Sequence, residues 1–259
     1  MYKFLKYELV DNVAIVTLND PDNMNALSFA LLDELYELLG EIESDSSVRA
    51  LLLWGSEKVF CAGGNLKDMD GVETVKQAYN IAQKTHRAYS RLSGLSCPTI
   101  AAIAGPALGG GLEIALTCDL RIGNEKTKMG LPEVSLGLMP GGGGTQRLPR
   151  IVGISKALEM MFTGTIITAE EALKIGLLNS IVPVGEIYKE GLEMATKLAK
   201  MAPNSLQLIK KVTYTGYGAP LSVGLEEESR CFAAIFNTKD SNEGIRAFLE
   251  KREPNYTGE

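Results

Sequence analysis

Two nearly unbroken apolar runs, "VRALLLW" at 48–54 and "PTIAAIA" at 98–104, constrain the fold of this chain more than any other feature. A strand with one wet face alternates polar and apolar residues. A run that is apolar on both faces implies a strand covered on both sides, as in a parallel sheet between helices. "LRIG" at 120–123 reads as a third strand of this kind. Earlier, "YELVDNVAIVTL" at 7–18 reads as two short strands around an Asp11-Asn12 turn. Leu27, Leu31, Leu32, Leu35, Leu38, Leu39 and Ile42 then recur at helical spacing. Between 104 and 120, the stretch 109–118 has room for only a brief helix.

From about residue 145 the pattern becomes mostly helical. "TAEEALKIG" at 168–176 predicts a capping box, Thr168 with Glu171, and a glycine stop at Gly176. "GLLNSIVP" at 176–183 reads as one late strand, and helical patterns fill 185–201, 203–217, 221–236 and 241–252. The expected class is α/β: a core over 1–195 and a helical region over 196–259.

Composition narrows the functions. The chain has 259 residues and a formal net charge of −6, which argues against nucleic acid or an anionic membrane surface as the main partner. The longest weakly polar stretch, 98–112, is too short and too rich in Gly, Pro and Ala to span a bilayer. The N-terminus lacks a signal-peptide core, so a cytoplasmic protein is expected. Cys61, Cys97, Cys118 and Cys231 show no C-x-x-C pair or zinc spacing and read as buried small hydrophobes in a reducing compartment. A single histidine, His86, leaves no material for a histidine metal cluster or an ordinary serine triad. It reads as a partly exposed helix residue, Trp54 as core, and Asp119 as a brace for the strand that follows.

"GGGLEIALTCD" at 109–119 carries the chemistry. Neither this stretch nor "PGGGGTQR" has the G-x-G-x-x-G register, and no lysine stands where a P-loop needs one. Glycines at a helix start leave backbone N–H groups open, with the helix dipole behind them, and such groups can form half of an oxyanion hole. Glu113, within the first turn, would then sit beside the reacting carbon. Taken alone, Glu113 reads first as a glutamate answering the helix dipole. Two further segments add weight in their order and spacing: "VFCAGGNLKDM" upstream, and "MGLPEVSLGLMPGGGGTQRLPRIVG" downstream, with Glu133 behind a proline.

The chain resembles the crotonase (enoyl-CoA hydratase/isomerase) superfamily. The resemblance rests on "NDPDNMNAL" (19–27), "FCAGGNLKDM" (60–69), "PTIAAIAGPALGGGLEIALTCDLRIG" (98–123), "GLPEVSLGLMPGGGGTQRLPRIVG" (130–153), "ITAEEALKIGLLNSIVP" (167–183) and "NEGIRAFLEKREP" (242–254). It implies repeated ββα turns and a C-terminal helical region, 196–259, that makes trimers or dimers of trimers. It also implies an acyl-CoA thioester substrate, with coenzyme A part of that substrate and no metal or redox cofactor. By the resemblance, the N–H groups of Gly64 and Gly110 form the oxyanion hole. Glu113 would polarise water at Cβ and Glu133 would deliver a proton to Cα, the two sharing a single proton at rest. Ala26, Ala62, Asn65, Leu66, Leu131 and Gly141 would border the substrate. Lys67, and Lys251 from a neighbouring subunit, would meet its phosphates, or else lie solvated at the surface.

Several positions depart from the hydratase pattern. Gly64 stands where alanine is frequent, Asn65 where aspartate is usual, and Leu131 where glutamine often precedes Pro-Glu. No basic residue precedes Asn25-Ala26-Leu27. Arg147 is expected in a structural salt bridge, and Leu112, Leu131, Met139 and residues 70–95 are expected to shape the acyl pocket. The leading expectation is a 2-enoyl-CoA hydratase. An isomerase, or a hydratase of a cyclic or unusual enoyl-CoA, is the nearest alternative. An RNA-binding homologue and an inactive structural one are the readings from other classes.

Overall fold

The computed structural model describes residues 2–259. A hairpin of β1 (Leu5–Val10) and β2 (Val13–Leu18) opens the chain. Asp11 and Asn12 both take positive φ, 48° and 66°, the backbone that a tight two-residue hairpin turn needs. Then come α1 (Phe29–Ser44), β3 (Ala50–Trp54), α2 (Leu66–Met69), α3 (Val75–Gly94), β4 (Thr99–Ile103), β5 (Pro106–Leu108) and α4 (Gly110–Ala115). The middle of the chain supplies β6 (Leu120–Asn124), β7 (Lys128–Gly130), a 3-10 turn (Pro132–Leu136), α5 (Gly144–Val152) and α6 (Ile154–Thr163). The rest is β8 (Ile167–Thr168), α7 (Ala169–Lys174), β9 (Ser180–Val182), α8 (Ile187–Ala199), α9 (Pro203–Tyr217), α10 (Leu221–Ile235) and α11 (Lys239–Glu250).

The main sheet has six strands in the order β1-β2-β3-β4-β6-β9, parallel throughout except for the opening hairpin. Both faces of β3 and β4 are buried, as the apolar runs predicted. Leu51, Leu53, Ala101 and Ile103 pack with the leucines of α1 and with Tyr89 and Leu92 of α3. Ala50, Leu52, Ile100 and Ala102 face the other way, onto Ile187, Ala195 and Ala199 of α8. Trp54 ends β3 against the Tyr188 ring, at 5.1 Å between centroids.

A second sheet, β5-β7-β8, was not expected from the sequence. Its strands are two or three residues long, too short for a period-2 pattern to register. Two isolated bridges extend it, Cys61 with Ala107 and Leu27 with Gly64, and stitch three distant segments side by side. Leu27 N–H donates to Gly63 O at 2.8 Å, and Leu108 N–H to Cys61 O at 3.1 Å.

Two expectations need adjustment. Thr168 caps α7 by accepting from Glu171 N–H, but Glu171 turns its carboxylate to Lys156 at 2.7 Å, so only half of the predicted capping box forms. The complete box lies instead at the start of α3, between Thr74 and Gln77. A division after residue 195 cuts through α8, whose Ala199 still belongs to the sheet core.

Asp119 ties the C-terminal helices to the core. Its Oδ2 accepts from Thr99 N–H at 2.8 Å at the head of β4 and meets Lys210 Nζ at 2.9 Å, while Tyr214 donates to Oδ1 at 3.0 Å. Lys210 and Asp119 are only 12% and 17% exposed. Asp119→Ala therefore leaves a largely desolvated ammonium unpaired, and a loss of about 3 kcal/mol is expected. Urea denaturation measures it; a loss below about 1 kcal/mol would be that of an ordinary surface pair.

Candidate active site

The glycine run of α4 is fixed by one outside contact per residue. Gly109 takes φ 50° and ψ −126°, a conformation open to glycine, and donates its N–H to Gly130 O at 2.9 Å. The Gly110 carbonyl accepts from the hydroxyl of the fully buried Tyr89 at 2.8 Å. Gly111 lies so close to the 61 turn that a Cβ there would stand 2.2 Å from Cys61 O. A Cβ on Gly110 would sit 3.3 Å from Gly64 N, so the bridges that extend the small sheet bring these two residues face to face. Among the described residues, neither the Gly64 N–H nor the Gly110 N–H donates a hydrogen bond.

Glu113, one turn further along α4, is 4% exposed. Its Oε1 accepts from Gly142 N–H and Gly144 N–H, each at 2.8 Å, while Oε2 accepts from no described residue. Burial raises its proton affinity above that of an ordinary carboxylate, and those N–H groups, with the Arg147 guanidinium, offset part of the rise. A neutral carboxyl offers a poorer acceptor to two N–H donors, so the cradle favours the ionised form.

Glu133 sits in the 3-10 turn with different surroundings. Its Oε2 is buried without a partner, and a Cβ on Gly109 would lie 3.1 Å from its Oε1. Burial first, and the Glu113 charge last, push it up to about 7, against a weaker opposing pull from its own backbone N–H. Both acids thus converge on the head of α4, one cradled by amides and one poised to hold its proton near neutrality.

The remaining expected site residues divide. Asn65 caps α2, accepting from Lys67 N–H at 3.0 Å, so asparagine performs the turn-anchoring role at that position. Ala62 and Ala26 are half-buried in the same stitched loops, Leu66 is exposed, and Gly141 stands open beside Gly142. Leu131 and Leu112 are completely buried, which corrects their expected place in the pocket wall. The Leu131 side chain packs instead under Gly144, where it supports the loop holding Glu113. Met139 is exposed, His86 is half-buried on α3, and Lys67 is exposed without an ion-pair partner among the described residues. Lys251 caps α11 with φ 54° and, among the described residues, makes no hydrogen bond or ion pair with a site residue.

Arg147 makes no salt bridge with any described residue, contrary to expectation; Nη1 donates to the Gly142 carbonyl at 3.0 Å. The glycine run 141–144 was expected to wall the site, but Tyr89, and the donation of the Gly142 and Gly144 amides to Glu113, went unread in the sequence. The "GGGG" run marked the loop as special, but nothing in a helical tyrosine signals the partner of its hydroxyl.

With this geometry in view, comparison with known proteins is decisive. The sequence profile of enoyl-CoA hydratase/isomerase matches residues 8–259. The chain belongs to that family. A probable mitochondrial enoyl-CoA hydratase of Dictyostelium discoideum is 42% identical over 94% of this chain and 87% of its own length. A short-chain-enoyl-CoA hydratase of Clostridium acetobutylicum is 41% identical over 93% and 92%. The crystal structure of an enoyl-CoA hydratase from Bacillus anthracis superposes with a TM-score of 0.95 at 38% identity, covering 99% of this chain and all of that one. The crotonase fold expected from the sequence is therefore the fold observed.

The raised affinity of Glu133 for its proton has a consequence for stability. The folded state binds that proton more tightly than the unfolded chain, whose carboxylate titrates at 4.5. The resulting stabilisation is complete below pH 4.5 and is lost as pH rises through about 7. The native chain should therefore lose melting temperature relative to Glu133→Gln across that window. Thermal scans at stepped pH check this, and parallel curves for the two proteins would contradict it.

Proposed function

We propose that the chain is an enoyl-CoA hydratase, adding water reversibly across the 2,3-double bond of an enoyl-CoA thioester to give a 3-hydroxyacyl-CoA. The observation that carries this reading is the convergence of two unlike acids on a pair of unengaged backbone amides. Gly64 N–H and Gly110 N–H receive the thioester oxygen and stabilise the enolate as it forms. Glu113, held by Oε1, turns Oε2 to the attacking water and takes its proton as the O–Cβ bond forms. Glu133 gives its proton to Cα. The pair resets when a proton passes from Glu113 back to Glu133. Two acids are used because OH and H arrive on neighbouring carbons; an isomerase needs to move only one proton along the chain.

Hydration is redox-neutral, and we propose that no cofactor takes part: the amides polarise the carbonyl, and coenzyme A enters with the substrate. Ala26, Ala62, Asn65, Leu66 and Gly141 border it in this reading, and Lys67 meets its phosphates, joined by Lys251 from a neighbouring subunit. Assembly supplies that neighbour. Neither α9 nor α10 buries a single residue within the chain, and Ile209, Leu221, Phe232, Phe248 and Leu249 stand 62–83% exposed. Such a surface fits the homotrimer, or dimer of trimers, that we propose for residues 196–259. No helix among the described residues is long and apolar enough to cross a membrane, and the four free thiols fit the reducing cytoplasm we assign.

Glu113→Gln and Glu133→Gln should each lower kcat for hydration by roughly a hundred- to ten-thousand-fold, with KM little changed. Kinetics on a panel of short, long, branched and cyclic enoyl-CoA thioesters measures this. Full turnover with either variant would sink the two-acid scheme, and isomerisation without hydration would favour the one-acid alternative. Light scattering should return three or six times the chain mass of 27.9 kDa.

A further inference from the structure

Arg147 lies half-buried on α5, and among the described residues no carboxylate pairs with it. An unpaired guanidinium partly out of water is costly unless it answers a charge nearby. Among the described residues its guanidinium makes one hydrogen bond, from Nη1 to the Gly142 carbonyl 3.0 Å away, and a Cβ on Gly143 would collide with the same nitrogen. Gly142 in turn donates its N–H to Glu113 Oε1 at 2.8 Å, and Gly144 does the same from the other side of Gly143. The guanidinium therefore sits one residue removed from the carboxylate. It grips the loop that cradles Glu113 and adds a positive charge behind it.

We infer that Arg147 is the positioning residue that makes the two acids unequal, fixing the 142–144 loop and keeping Glu113 ionised while Glu133 retains the proton. The inference rests on the hydratase reading and adds an assignment of roles within it. The groups facing Arg147 come from three elements. Tyr89 on α3 and Tyr214 on α9 are phenols raised by burial, so both stay neutral near neutrality, and Glu113 on α4 is the one acid among them. Around Glu113 itself stand Arg147, Tyr89 and Glu133; Cys61, beyond Tyr89, is a buried thiol pushed up to about 12. Among the described residues Arg147 is thus the cation that acts on Glu113, lowering its proton affinity after the Gly144 and Gly142 amides, and no cation acts likewise on Glu133.

The test compares Arg147→Gln, which keeps a donor for the Gly142 carbonyl but removes the charge, with Arg147→Lys, which keeps the charge. In the pH dependence of kcat/KM, the acid limb reports ionisation of Glu113. Glutamine should move that limb upward by about one pH unit or more and lower the maximum about tenfold, whereas lysine should leave the limb within about half a unit. An unmoved limb in the glutamine variant, or equal displacement in both, overturns the inference. If the glutamine variant does not fold, Arg147→Met replaces it as the charge-free variant: a limb raised by about a unit supports the assignment, and an unmoved limb overturns it. Infrared difference spectra separate this inference from the hydratase reading, because they need no turnover. The Glu113 carboxylate band, assigned against Glu113→Gln, should shrink in Arg147→Gln near neutral pH; an undiminished band overturns the inference whatever the enzyme hydrates.

Discussion

A glutamate as buried as Glu113 would cost several kcal/mol if it met only hydrocarbon, and in practice would simply take up a proton. The rest of the site depends on how the chain avoids that outcome. Two amides separated by Gly143 point at one oxygen, and their loop is gripped from behind by Arg147. Any Cβ on Gly142 would stand 2.6 Å from Glu113 Oε2 and close the approach on the free side of the carboxylate. The glycines at 142 and 144 are therefore a requirement of burying this acid and still leaving one oxygen available for chemistry.

The same logic explains how so flexible a run as Gly109-Gly110-Gly111 holds a fixed shape. Glycine loses more conformational freedom on folding than any other residue, so three in sequence make a weak helix start. Here the freedom is removed from outside, by the Gly130 carbonyl, the Tyr89 hydroxyl and the close approach of Cys61. Those three partners come from β7, α3 and the loop before α2, which fold into one place only when both sheets are complete. The free N–H groups at 64 and 110 are then a product of tertiary structure, with little contribution from the local preference of either segment.

Much of the architecture was legible because burial leaves a period in the sequence. The runs at 48–54 and 98–104 gave parallel strands covered on both faces, and the leucines from 27 to 42 gave α1. Glu113 and Glu133 were legible for a different reason: a carboxylate inside an apolar stretch is anomalous wherever it occurs. The small sheet was not readable, since three residues cannot show alternation. Arg147 was misread, because its partner is a carbonyl, and every residue offers a carbonyl. Tyr89 was missed for the same reason. Main-chain acceptors carry no sequence signature, so contacts made to them surface only in three dimensions.

Asp119 shows how the C-terminal helices and the site become mechanically continuous. It follows α4 by four residues, pins the first residue of β4, and takes Lys210 and Tyr214 from α9. Tyr217 of α9 also donates to the Arg150 carbonyl at 3.1 Å, so one helix is tied both to the segment that follows α4 and to α5, which carries Arg147. In the trimer proposed above, α9 and α10 would carry the subunit contacts that this chain alone leaves bare. Packing against a neighbour would then hold α9 in place, and α9 holds the ends of the elements that present Glu113. A site built from glycines needs that support from behind, because its own backbone supplies so little stiffness.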